Sequence, residues 1–190
     1  MKIMYGVAAL ALSACGQNGV SSAPADALMM QLSAHCGKAF EGRVVSDDAV
    51  DADFAKGKLV AHVRSCSVSE IRIPFHVGDN RSRTWVITRT EDGLRLKHDH
   101  RHEDGSEDAV TQYGGDSAMV SENRAEFPAD GFSIDLFTRE GLSASVTNVW
   151  AIEITDSVFS YELSRENRFF RVEFDLEAPV LAPPAPWGAE

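Results

Sequence analysis

The sequence predicts a mainly β protein: an antiparallel up-and-down β-barrel of about eight or nine strands, with a short N-terminal helix and one short helix near residues 133–140. Three observations predict it. Apolar and polar residues alternate with period two over strand-length runs, short turn signals separate those runs, and two stretches repeat their apolar residues at helical spacing instead. A β-sandwich is the alternative, because it too hides the edges of a large antiparallel sheet.

Taken in order, Asp26 offers an N-cap, Leu28, Met29 and Leu32 recur at helical spacing, and Gly37 stands where such a helix would stop. A helix over 26–35 is expected, suited to plugging one barrel end. "EGRVVS" reads as the first strand. "KLVAHVRSC", "EIRIPFHVG", "RTWVITRTE" and "LRLKHDHRH" follow, with turns at Asp79-Asn80 and Asp92-Gly93. Within them Ile71, Ile73 and Phe75 should face a core, and Glu70, Arg72 and Pro74 water. "TQYGGD" holds Gly114-Gly115, too short for a phosphate loop and better read as a bulge or bend in a barrel strand. "EFPADGFSIDLFTREG" places Phe132, Leu136 and Phe137 at helical spacing, with Asp130 or Ser133 as cap and Gly141 as terminator. "SASVTNVWAIEITD", "SVFSYELSREN" and "FFRVEFDLE" then resume the alternation, turning Val172, Phe174 and Leu176 inward. Connections this local favour an up-and-down order over Greek-key crossings.

Composition agrees with one domain, expected over 26–177: of 190 residues, 44% are hydrophobic and 25% charged. The formal net charge of −11 argues against nucleic acid as a partner and against docking on anionic headgroups. From Ala178 onward the chain holds "APVLAPPAPWGAE", a proline-rich tail expected to be disordered and outside the fold.

The first residues, "MKIMYGVAALALSACGQ", supply a positive n-region, an apolar stretch too short to span a bilayer, and then Leu12-Ser13-Ala14-Cys15. This segment resembles the lipobox of bacterial lipoprotein precursors. The resemblance implies a signal peptide over 1–14, lipidation at Cys15, a flexible tether over 15–25, and a membrane held through acyl chains. It implies export to the cell envelope; Gly16 after the Cys is compatible with an outer-membrane lipoprotein facing the periplasm. Cys36 and Cys66 then remain as an even pair in an oxidising space, expected to form a disulfide. The central block resembles a run found in uncharacterised exported bacterial proteins. The layout of helix and hairpins is similar to the calycin barrels, the lipocalin and fatty-acid-binding group, although "FEGRVV" lacks the Gly-x-Trp opening of lipocalins.

The most suggestive chemistry lies in "GLRLKHDHRHEDGSEDAV". On a strand, Leu94, Leu96, His98, His100 and His102 share one face, while Arg95, Lys97, Asp99, Arg101 and Glu103 take the other. The histidines therefore continue an apolar face toward the barrel interior or its rim. Alternate histidines are a spacing by which strands present imidazoles to one divalent metal, with a third ligand from His62, His76, Asp104 or Glu107. The competing readings are a polar lining for an organic ligand and a wet strand end, since "EDGSED" is an exposed turn. Trp85 and Trp150 are expected in the core, with ligand stacking as the functional alternative. Arg64, Arg72, Arg83, Arg89, Arg165 and Arg168 are expected to pair with carboxylates across strands. Ser106 has carboxylates around it but no base to activate it, so a hydrolytic triad is not expected. The expectation is a non-enzymatic envelope lipoprotein, without a cofactor, binding a small ligand or another envelope component through His98, His100, Trp85 and Trp150. The alternative is a metal-binding protein or metal-dependent hydrolase on His98, His100 and His102.

Overall fold

Period-two alternation yields a sheet with one buried face, and a sheet this long hides that face by curling on itself. The computed structural model describes residues 23–189. α1 spans Ala23–Ser33, followed by β1 at Ala39–Val44, α2 at Ala52–Lys56, β2 at Leu59–His62, β3 at Ser65–Cys66 and β4 at Glu70–Val77. β5 covers Asn80–Arg89, β6 Leu94–His100, β7 Tyr113–Asp116, β8 Met119–Val120 and β9 Arg124–Pro128. α3 is Gly131–Arg139, and β10, β11 and β12 are Val149–Ile154, Val158–Arg165 and Arg168–Val180.

All strands belong to one antiparallel sheet, ordered β7-β6-β5-β4-β2-β1-β12-β11-β10-β9-β8, with β3 beside β4. This is the expected up-and-down, barrel-like arrangement, and a single continuous sheet sets the sandwich aside. Among the described residues twelve strands replace the expected eight or nine: β9 forms where no strand is expected, the run "KLVAHVRSC" divides into β2 and β3, and β7 and β8 are pieces of one run. That run bridges the ends of the sheet: β7 pairs with β6 and β8 pairs with β9. Between them the seam is held by α3. The Asp130 amide donates to the Gly114 carbonyl at 2.9 Å, and Ser133 Oγ accepts the Gly114 N–H at 2.7 Å. Asp130 caps α3 as expected, its carboxylate accepting from the Ser133 amide at 2.9 Å.

The core fills the curl with Phe40, Ile71, Ile73, Ile87, Phe127, Phe159 and Phe174, all fully buried. α1 closes one end, burying Leu28, Met29 and Leu32. It begins at Ala23, inside the expected tether, so Asp26 lies in its first turn instead of capping it. There the carboxylate favours the helix dipole and meets Arg89 Nε at 2.8 Å. Cys36 and Cys66 form the expected disulfide, with Cα atoms 6.2 Å apart. It ties the chain after α1 to β3, and closing a loop of that size is worth roughly 3 to 4 kcal/mol.

The proline-rich tail, expected outside the fold, lies against it. β12 runs to Val180, Arg81 Nη1 donates to the Ala185 carbonyl at 2.8 Å, and the Trp187 amide donates to the Arg81 carbonyl at 3.1 Å. Prolines lower the entropy cost of holding an extended strap, because φ is already fixed. Residues 1–14 and Cys15, where signal peptide and lipidation are expected, lie outside the described residues. Among the described residues no helix is long and apolar enough to cross a membrane.

Candidate functional site

Strand register decides what meets His98. β5 and β6 pair so that Ile87 opposes Leu96, Trp85 opposes His98 and Arg83 opposes His100. Cross-strand partners share a face, so the inward surface passes from an aliphatic layer to an aromatic one and then to a charged rim. β10, β11 and β12 repeat the gradient: Ile152 opposes Tyr161, Trp150 opposes Leu163, and Arg165 opposes Arg168. β7 adds Tyr113 opposite His98.

These layers line a cavity of about 310 Å³, at the small end of the roughly 300–1,000 Å³ range of ligand pockets. It lies at the end of the barrel away from α1: Arg89, at one end of β5, pairs with α1, whereas Arg83, toward the other, lines the cavity. The walls are ring faces. Trp85 stacks on Tyr161 with centroids 4.3 Å apart, and His98 stacks on Tyr113 at 4.5 Å. Trp150 leans on His98 at 5.1 Å and Phe137 contributes from α3. His98, His100, Trp85 and Trp150, the four residues singled out in the sequence for a ligand, all line this one cavity.

The polar atoms inside are few and mostly engaged. His98 Nδ1 lies 3.1 Å from the Tyr113 carbonyl, which can only accept, so the ring hydrogen sits on Nδ1. Nε2 of the neutral ring then accepts the Tyr161 hydroxyl at 2.7 Å. The Tyr113 hydroxyl is 3.1 Å from His100 Nε2. Burial, reinforced by His100 and Lys97, lowers the His98 pKa to about 3 against a weaker opposing pull from the Tyr113 carbonyl. Burial and the Arg83 charge lower that of His100 to about 4, Asp108 and Asp99 opposing. Burial likewise raises both tyrosines above the usual phenol value. At neutral pH the aromatic layer is therefore uncharged.

The rim carries charge. Arg168 sets two guanidinium nitrogens on Asp51, at 2.8 and 2.5 Å, and also reaches Asp48 at 3.3 Å. Asp51 is 2% exposed, and this pairing neutralises it. Arg72 and Arg89 also find carboxylates, Asp99 and Asp26, as expected. Arg64, Arg83 and Arg165 do not, among the described residues. They donate instead to the Ala189 carbonyl, Asn80 Oδ1 and Asn148 Oδ1. Arg83 and Arg165 line the mouth, where Asp51 is already held by Arg168.

The three histidines do not form a ligand set. β6 ends at His100, and the Arg101–Glu107 bridge opens a turn that carries His102 out of the alternation into solvent. His76 lies on the outward side of β4 beneath the tail. Among the described residues, no three His, Cys, Asp or Glu side chains are placed to hold a metal ion.

The sequence reading missed Tyr113, Tyr161 and Phe137 in the wall. The only signal for the tyrosines was their place in inward-facing runs, because their contacts span 15 and 63 residues. Compared with family models, curated proteins and solved structures, the chain matches none.

Proposed function

We propose that this protein is a non-enzymatic, exported envelope lipoprotein that binds a small, largely apolar ligand in the mouth of its barrel. One observation carries the binding reading: an aromatic-walled cavity of about 310 Å³ opens at one barrel end, with its interior hydrogen bonds made within the wall. Such a wall offers ring faces and apolar area and few free polar groups, which suits an apolar body held by shape and stacking.

The neutral fluorophore N-phenyl-1-naphthylamine tests it. The expected result is saturable one-to-one binding with energy transfer from tryptophan, lost when Leu163→Trp fills the mouth. Equal binding by that variant, or none by the wild type, would overturn the reading.

The address rests on Leu12-Ser13-Ala14-Cys15. Wild-type protein should fractionate with membranes, and the Cys15→Ala variant should leave them. Continued membrane association of that variant contradicts lipid anchoring at Cys15.

A further inference from the structure

We infer that the ligand of this cavity is an organic carboxylate, its head seated on Arg83 and Arg165 and its apolar body on the aromatic wall. The inference rests on the binding reading above and adds the chemical class of what is bound.

The chain carries a formal charge of −11, so a cation in it has carboxylates to spare. Outside the cavity most arginines take them: Arg72 holds Asp99 at 2.8 Å, Arg95 holds Asp116 at 2.6 Å, and Arg124 holds Glu162 at 2.7 Å, while Arg64 and Arg81 are occupied by carbonyls of the C-terminal tail. The cavity breaks this habit. Arg168 is saturated by Asp51 and Asp48, but Arg83 and Arg165 have no carboxylate within ion-pair distance among the described residues. Arg83 donates to Asn80 Oδ1 at 3.2 Å and Arg165 to Asn148 Oδ1 at 3.0 Å. One neutral amide oxygen occupies little of a guanidinium with five N–H donors.

Both arginines belong to the inward face. Arg83 precedes Trp85 by two residues on β5, and Arg165 follows Leu163 by two on β11, so each continues the column of cavity-lining side chains to the rim. Arg83 also lies over the Phe54 ring, 5.7 Å from its centroid, which holds it across the mouth. Asp108 is the remaining lining carboxylate, and one of its oxygens already accepts the Val110 amide at 2.8 Å. With Asp51 consumed by Arg168, the rim presents two guanidinium groups against one carboxylate. Guanidinium stays charged in any surroundings and favours planar, bidentate oxyanions. A carboxylate entering head-outward completes that pairing while its body displaces water from the rings.

Two probes of one body separate the outcomes: 2-naphthoate and neutral 2-naphthalenemethanol, each titrated by tryptophan fluorescence at low salt. The wild type should prefer the acid by about tenfold or more, as charge-assisted hydrogen bonds require. Arg83→Gln with Arg165→Gln should abolish the preference and leave the alcohol unchanged, whereas Lys at both sites should restore part of it. Equal affinity of the wild type for both probes, or an equal loss of both in the Gln variant, overturns the carboxylate inference and leaves the cavity reading standing. If neither probe binds, both readings fall.

Discussion

Gly115→Ala is expected to open the barrel seam and destabilise the protein by about 3 kcal/mol or more. A Cβ at Gly115 would lie 1.8 Å from the Pro128 carbonyl oxygen and 3.3 Å from the Asp130 amide nitrogen. Both are backbone atoms, so no side-chain rotation relieves the clash. The strand must move away from β9, which also pulls Gly114 from Ser133 and Asp130. Neighbouring Gly114 is similarly confined: its Cβ would fall 1.9 Å from the Leu96 carbonyl oxygen, at a φ of +149°. Gly131→Ala is the control, because nothing lies within 4 Å of its Cβ and the change should be neutral or slightly stabilising. In thermal unfolding, Gly115→Ala should melt about 10 °C below the wild type. A shift of less than about 2 °C would show that the seam contributes little. Tyr113 stands two residues before the clash, so the same variant should also weaken binding in the cavity.

The glycine pair shows how far the sequence could be followed. Two glycines in a strand run indicate close approach or a bend, but not what approaches. That is Pro128, brought near by the closure of an entire sheet. Legibility elsewhere divides along the same line. The alternation in Leu94 to His100 assigned His98 and His100 to the inner face because a two-residue period is local. Which rings would surround them depended on register with β5, β7 and β11, so Tyr161 could not be paired with His98 in advance. The arginines were read as ion-paired because carboxylates are abundant. Arg83 and Arg165 escape that rule because Arg168 already holds Asp51 at the mouth they share, and Arg64 escapes it by holding the tail. Proline content placed the tail outside the fold, yet its carbonyls at Ala185 and Ala189 are bound by Arg81 and Arg64.

Acidification from pH 7.5 to about 4.5 is expected to remove a substantial part of the folding stability through buried neutral histidines. His98 and His76 are each 3% exposed. Burial is the leading cause that lowers them to about 3 and about 4, with His100 at about 4. Around His98 the further charges are His100 and Lys97; around His76 they are Arg81, His62 and Arg64. An unfolded histidine takes up a proton near pH 6.5, whereas these folded ones resist until far lower. Their contribution is therefore complete above about pH 6.5 and declines steadily as pH falls toward their folded values. His98 alone should cost roughly 2 to 3 kcal/mol by pH 4.5. Asp116, Asp130 and Glu162, held low chiefly by ion pairs and hydrogen bonds against the cost of burial (for Asp130 and Glu162 the larger single effect), lose their contribution in the same direction. They do so below about pH 5, so the loss above about pH 5 belongs to the histidines. Urea unfolding across this range should show a flat plateau near neutrality and a fall below pH 6.5. His98→Phe should begin less stable, having lost the Tyr161 hydrogen bond, and should fall less steeply by about one proton per molecule. Equal stability of the wild type at pH 7.5 and 5, or parallel slopes for the two proteins, would mean that His98 is not held neutral by the wall around it. For His98 the acid sensitivity and the cavity have one origin: the aromatic layer that excludes water from it is the surface offered to a ligand.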